Sequence, residues 1–422
     1  MFAEAYARLP KQPQPTTVEE YRERQSRLTN RFRNEDVLIV SSPSFAVHSN
    51  DVEYRYRTSS DLLYLTGWTE PESVYVLRCV EGSWLSSLFV QPKDTLKEIW
   101  EGRRPGVEGA IQDFPVDEAF NINELASELG SWLNGAKRVF VRGGVNQEVD
   151  DLVQSAVRKR DRARQHFGTG PVSVEDPSGI IAELRLRKSP SEIEQMVYAS
   201  KVASIAHELA MRHSREGVTE FQLQSIIEGF FSYAGASGWS YPSIVGCGEN
   251  ATILHYTTNQ DVCGDDEVIL IDAGAEYRGY ASDITRSWPI SGQFSDAQRE
   301  IYELVLRSQR AAIEVCKVGE PYTAPHEAAR RVLAEGLIEL GIIDQDVERL
   351  WTPNTATSRN GTCTTPAIGL DWTFTMWVCT SPEVSPGCLS PECALRLNRA
   401  CISGHGDRML IVLSVTRTLV FE

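Results

Sequence analysis

The sequence predicts an α/β domain followed by an α+β domain whose C-terminal part is incomplete, and three observations carry that prediction. Short apolar strand patterns alternate with helical stretches up to about residue 165. Past Pro177 the text turns to long, well-capped amphipathic helices that precede strands. From about Trp351 both periodicities fade, and Thr, Ser, Pro and Cys accumulate.

A Pro- and Gln-rich lead-in, residues 1–17, reads as an N-terminal tail. TTVEEYRERQSRLTNRF then spaces Val18, Tyr21 and Leu28 for one face of a helix, and DVLIVSS after it is a buried-strand run. SVYVLRCV, SSLFVQP and RVFVRG repeat the strand signature, while INELASELGSWL is helical, so residues 18–170 form one α/β domain. The next domain, residues 177–350, opens with Ser189 as N-cap, Pro190 in the first turn and Glu192 as capping-box acid of a long helix. Thr219 caps a second helix over EFQLQSIIEGFFSYAG. YPSIVG, EVILIDAG and ASDITRSWPI read as strands, and Ser295 caps another helix, so helices pack over a curved antiparallel sheet. Residues 351–422 hold five of the nine cysteines (Cys363, Cys379, Cys388, Cys393 and Cys401) and are poor material for a core, so this segment is expected to fold badly.

With 422 residues, the chain has ample material for two sizeable cores. Its 58 acidic and 42 basic residues leave a net charge of −16, which disfavours nucleic acid or an anionic membrane as partner. No basic stretch leads into an apolar one at the N-terminus and no apolar run of about 18 residues follows, so the cytoplasm is the expected compartment. Nine cysteines, an odd number without a secretory leader, are expected as reduced thiols.

Chemistry concentrates in IDAGAEYRGYASDITRSWP. Asp272 ends an apolar strand, Asp283 enters the next, and antiparallel pairing brings the two side by side. Adjacent carboxylates repel unless a cation lies between them, and oxygen donors suit hard ions such as Mn2+ or Mg2+. A turn aspartate beside a surface aspartate is the plainer alternative, and these residues alone leave both open. GCGEN is a poor nucleotide loop, because no GK[ST] follows and a strand bearing His255 is expected next instead of a helix.

YPSIVGCGENATILHY, IDAGAEYRGYASDITRSWPISGQFSDAQREIYELVL and ELRLRKSPSEIEQM, with NDVEYRYRTSSDLLYLTGWTEPES and EIWEGRRPG nearer the N-terminus, resemble the aminopeptidase P family. These are metal-dependent Xaa-Pro aminopeptidases of the pita-bread fold, and the resemblance runs in order over roughly residues 18–345. Creatinase and prolidase share the fold, but SDLLYLTGW with GRRPG favours aminopeptidase P. The resemblance implies an α/β creatinase/aminopeptidase P-like N-terminal domain and an α+β pita-bread catalytic domain acting on peptides with proline in second position. It also implies two metal ions, usually Mn2+, held by five side chains, of which Asp272 and Asp283 match the first two. Coordination lowers the pKa of the bridging water and makes it a nucleophile. His255 in ILHY matches a histidine that helps bind substrate, although a lone histidine there is otherwise structural. Trp100 matches a tryptophan that reaches a neighbouring subunit's site in related enzymes, which implies a homo-oligomer; a core or interface tryptophan is the alternative.

The family's other three ligands are the second histidine of an HxxGH-like motif, a glutamate in EPG and a glutamate in IED or VED. None has a counterpart: after Ala324 the histidines are His326, expected on a helix, and His405 in SGHGD. One displaced reading frame supplies the missing text. Codons for NGTCTTPAIGLDWTFTMWV, Asn360 to Val378, can be chosen so that dropping two bases reads RHLHHSGHWTGLDVHDVG. In the same frame LNRACIS reads EPGLYI and TLVFE reads IGIR, with the last ligand expected just beyond Glu422. A frame change near Trp351 therefore predicts a non-native C-terminal segment, weak or absent metal binding, poor stability and no appreciable peptidase activity. A non-catalytic peptide-binding protein on the same fold is the competing function.

Overall fold

The computed structural model describes residues 1–162 and 169–342, and the backbone of 400–405 and 408–413. Apart from those two short strands, the segment 351–422 lies outside the described residues. The chain divides into two compact units, Pro15–Leu186 and Met1–Gln14 with Arg187–Glu422. No described helix is long and apolar enough to cross a membrane.

A short helix, α1 (Phe2–Tyr6), opens the chain and belongs to the second unit. The first unit begins with α2 (Val18–Thr29), whose N-cap Thr17 accepts from Glu20 N, followed by β1 (Asp36–Ser41). A small hairpin of β2 (Val47–Ser49) and β3 (Val52–Glu53) leads to α3 (Ser60–Thr66), β4 (Val74–Val80) and β5 (Ser83–Val90). Then come α4 (Thr95–Glu101), α5 (Gly106–Asp113), β6 (Glu118–Asn121), α6 (Leu125–Gly135) and β7 (Arg138–Val141). The unit closes with α7 (Gln147–Arg162), β8 (Ser173–Glu175) and α8 (Ser178–Leu186).

These strands form one mixed sheet in the order β6-β5-β4-β1-β7-β8. Every residue of central β1 is buried because helices cover both faces. Leu38 and Val40 point into a core with Leu28 of α2, Leu62 and Leu65 of α3 and Leu184 of α8. Val37 and Ile39, on the opposite pleat, meet Leu125, Leu129 and Leu133 of α6 and Val149 of α7.

In the second unit, α9 (Pro190–His213) starts with the expected capping box, Ser189 and Glu192 each accepting from the other's backbone N–H. It is followed by α10 (Glu220–Tyr233), β9 (Gly238–Trp239), β10 (Ile244–Cys247) and a 3-10 turn, Gly248–Thr252. The strands β11 (Val268–Ala273), β12 (Ala275–Tyr277), β13 (Tyr280–Ala281) and β14 (Ile284–Pro289) precede the antiparallel pair α11 (Asp296–Glu314) and α12 (Ala324–Glu339). A last strand pair, β15 (Ala400–His405) and β16 (Arg408–Leu413), is antiparallel. The main core lies between the helices and the sheet β10-β11-β14: Ala199, Ala203 and Ala206 of α9 let it approach closely, and Leu223, Ile227 and Phe230 of α10 complete the packing against Ile269 and Ile271. The first fourteen residues, a lead-in by sequence, run along this unit, with Phe2 edge-on to Phe230 at 5.6 Å and the Gln14 carbonyl accepting from Gln195 Nε2 at 2.7 Å.

The expectation for the cysteines is corrected. Instead of all-reduced thiols, Cys247 and Cys263 form a disulfide, their Cα atoms 5.6 Å apart and both side chains buried. Their 16-residue separation does not announce the pairing; the end of β10 and the approach to β11 bring them together. Closing a loop of that length stabilises by about 3 kcal/mol through the unfolded chain. Cys247→Ser is therefore expected to lower the urea-unfolding free energy by about that amount relative to the oxidised chain. Native protein whose two thiols both alkylate without prior reduction would refute the bond.

Candidate metal centre

The site grows from β11. Its six residues VILIDA are all buried, and the ladder sets Ile244 of β10 and Thr285 of β14 on either side of Asp272. Asp283 lies two residues before Thr285, hence on the same face and diagonal to Asp272. Between the aspartates the chain makes a tight β12–β13 hairpin through Arg278 and Gly279, both at positive φ, the backbone that a two-residue turn of this hand requires. The hairpin base is pinched: a Cβ on Gly274 would stand 1.8 Å from the Ser282 carbonyl oxygen, so only glycine fits. Ser282 Oγ accepts from Ala275 N at 2.9 Å and closes the base.

Both carboxylates are almost out of solvent, at 1 % exposure for Asp272 and 3 % for Asp283. The hydroxyl of Tyr241 lies between them and is within hydrogen-bonding reach of both, a close contact to Asp272 Oδ1 and 2.9 Å to Asp283 Oδ1. Burial first, and then the negative fields of the two aspartates, push the Tyr241 phenol well above its usual range, so it stays protonated and donates. Tyr241 is the functional neighbour that sequence reasoning missed. It stands in YPSIVG, a stretch read only as a strand, and nothing local shows that its side chain crosses to the hairpin.

Beneath the sheet, His207 of α9 is buried with Nδ1 2.8 Å from the Ala203 carbonyl. Burial, with Arg286 nearby, pushes its pKa down to about 4, so a neutral ring underlies the strands that carry the aspartates.

The other predicted residues are carried by other elements. His255 sits in an exposed turn after the 3-10 turn, not in the expected strand, because Gly248–Thr252 coils GENAT into that turn first. Trp100 is on α4 of the first unit and 88 % exposed, which removes the core alternative. His326 is on α12, as expected. The paired carboxylates are oxygen donors suited to a hard divalent ion. Among the described residues no group of three or more His, Cys, Asp or Glu side chains is placed to hold a metal.

The model of metallopeptidase family M24 matches residues 194–367, and that of the aminopeptidase P N-terminal domain matches residues 21–140. Similar curated proteins include the Xaa-Pro aminopeptidase of Escherichia coli (strain K12), 36% identical over 337 residues, which are 80% of this chain and 76% of that protein. The Xaa-Pro aminopeptidase of Haemophilus influenzae is 36% identical over 345 residues, 82% of this chain and 76% of its own. Among solved structures, zinc-substituted E. coli aminopeptidase P in complex with product superposes with a TM-score of 0.76 at 36% identity, covering 80% of this chain and 77% of that one.

Two outcomes are expected. Tyr241→Phe removes the one O–H donor that the two buried carboxylates share and should lower the unfolding free energy by about 2 kcal/mol, read from urea midpoints; an unchanged midpoint would remove Tyr241 from the site. His207 contributes stability that is complete above pH 6.5, its ordinary value, and is lost as pH falls towards about 4, because the unfolded chain then binds the proton first. That interval corresponds to about 3 kcal/mol, and a His207→Asn chain should show a correspondingly flatter stability profile between those pH values.

Proposed function

The chain belongs to metallopeptidase family M24, with the α/β N-terminal domain and α+β pita-bread domain of the aminopeptidases P, and from that premise we propose that it takes peptides with proline in second position. The buried pair Asp272 and Asp283, sharing the Tyr241 hydroxyl, is the observation that carries this reading. In it Asp272 and Asp283 supply two ligands to a divalent centre, Mn2+ by preference, and His255 contacts the peptide. The metal, when bound, supplies a water acidified by coordination. The protein's own contribution is to hold two carboxylates on one face, keep bulk water from them and keep Tyr241 protonated between them.

We further propose that this chain turns peptide over weakly or not at all, since the three ligands that should follow Asp283 have no counterpart in the sequence as it stands. The domains proposed are 18–170 and 177–350, with 351–422 as a non-native segment from a displaced frame. A homo-oligomer goes with the reading, supported by the exposed Leu96, Ile99 and Trp100 on α4. The net charge of −16 weighs against nucleic acid and membrane as partners. The cytoplasm is the proposed compartment, and the Cys247–Cys263 bond weighs against it, because disulfides persist mainly where the surroundings oxidise.

The test compares this chain with one in which the displaced frame is restored and extended, measuring bound Mn2+ per chain and hydrolysis of an Xaa-Pro peptide. The restored chain is expected to exceed this one by at least about a thousandfold in rate, the scale of a lost metal centre. Two tightly held Mn2+ ions with turnover by this chain would refute its inactivity. A restored chain that binds metal yet spares Xaa-Pro peptides would refute the substrate assignment.

A further inference from the structure

The segment that bears His255 is held from an unexpected place. Glu220, the first residue of α10, is 0 % exposed, and its carboxylate accepts four hydrogen bonds from that segment and its ends. Oε1 takes Cys247 N at 2.8 Å and Asn250 Nδ2 at 3.1 Å, while Oε2 takes the Tyr256 hydroxyl at 2.9 Å and Asp261 N at 3.0 Å. Every partner is a donor, matched to a group that in its ionised form only accepts. Asn250 Nδ2 ties the set together, lying 3.0 Å from Tyr256 Oη and 2.7 Å from Asp261 Oδ2.

We propose that Glu220 is a positioning residue for His255: it closes the 247–261 segment around one carboxylate and so fixes the turn from which the histidine meets substrate. The neck of the segment is fastened separately. Cys263 N donates to the Val218 carbonyl at 2.8 Å, Gly217 N to the Cys263 carbonyl at 2.9 Å, and the Cys247–Cys263 bond joins the two ends. Those clamps hold the ends; Glu220 reaches in from α10 to Tyr256, the immediate neighbour of His255, and Asn250 meets Tyr256 from within the segment. A glutamate at a helix start usually serves the helix itself, but this one spends all four bonds on another segment. Such bonds to a charged group are about twice as strong as neutral ones, and inside a low-dielectric pocket they order the chain that makes them.

The inference rests on the proposed role of His255, and the experiment separates the two. Hydrogen exchange of the full chain is followed by mass spectrometry for peptides spanning 247–262, β11 and α9, in Glu220→Ala, Glu220→Gln and Tyr256→Phe chains. Glu220→Ala is expected to raise exchange in 247–262 about tenfold to a hundredfold, with β11 and α9 changed far less. Glu220→Gln should fall between it and the parent, since the amide keeps one acceptor oxygen and turns a donor towards other donors. Tyr256→Phe, the mildest change, gives the same local pattern in smaller degree and serves if Glu220→Ala does not fold. Exchange in 247–262 that stays at the parent level, or that rises in step with β11 and α9, would overturn the positioning role. In parallel, the affinity of a proline-second peptide in the presence of Mn2+ is compared for parent, His255→Ala and the Glu220 variants. A parent that binds while His255→Ala binds equally well refutes the His255 role and leaves the exchange result standing. Affinity lost in His255→Ala and in Glu220→Ala, and partly recovered in Glu220→Gln, supports both.

Discussion

Two aspartates are buried side by side at the base of the β12–β13 hairpin, and like charges so placed are tolerated only where donors or cations face them. Much of the second unit answers that demand. The ladder of β11 with β14 puts Asp272 and Asp283 on one face, the pinch at Gly274 brings the strands to them without room for a side chain, and Tyr241 reaches across to donate. The neutral His207 beneath the sheet adds no second charge to be accommodated. A strand that closes on carboxylates in this way is a poor solution for stability alone, since an apolar pair of similar volume would pack there at less cost.

The first unit is built on other terms. Its mixed sheet is covered on both faces by helices that pack apolar cores, and the buried charges of Arg24 and Asp36 are paired within the unit, with Glu20 and Arg138. Its α4, a helix with no buried residue, stands Leu96, Ile99 and Trp100 out to solvent. That contrast suits a division of labour: a self-sufficient domain that presents a surface, and a second domain whose centre depends on charge compensation.

Periodicity and caps carried most of the secondary structure. Val37 to Val40 alternate between two cores, and the Ser189, Pro190 and Glu192 start of α9 is a local hydrogen-bond pattern that needs no distant partner. The aspartates were readable too, because an apolar strand ending in Asp and a glycine-bearing turn imply a hairpin, and a hairpin implies proximity. Tyr241 was not, since its contacts are 31 and 42 positions away. The strand expected around His255 was displaced by the 3-10 turn at Gly248–Thr252, and the Cys247–Cys263 pair escaped notice because cysteine count argues about compartment, not about which two strand ends meet.

By itself, the sequence determined the capped helices and the apolar strands of both domains, the aspartate pair and the family to which these motifs belong, because each rests on short-range pattern or on motif text. Only the tertiary structure decided which groups face that pair, that Glu220 gathers the His255 segment, and that Cys247 is joined to Cys263. Those are contacts between residues far apart in the chain, and their geometry is set by how the helices pack on the sheet, which no local pattern encodes.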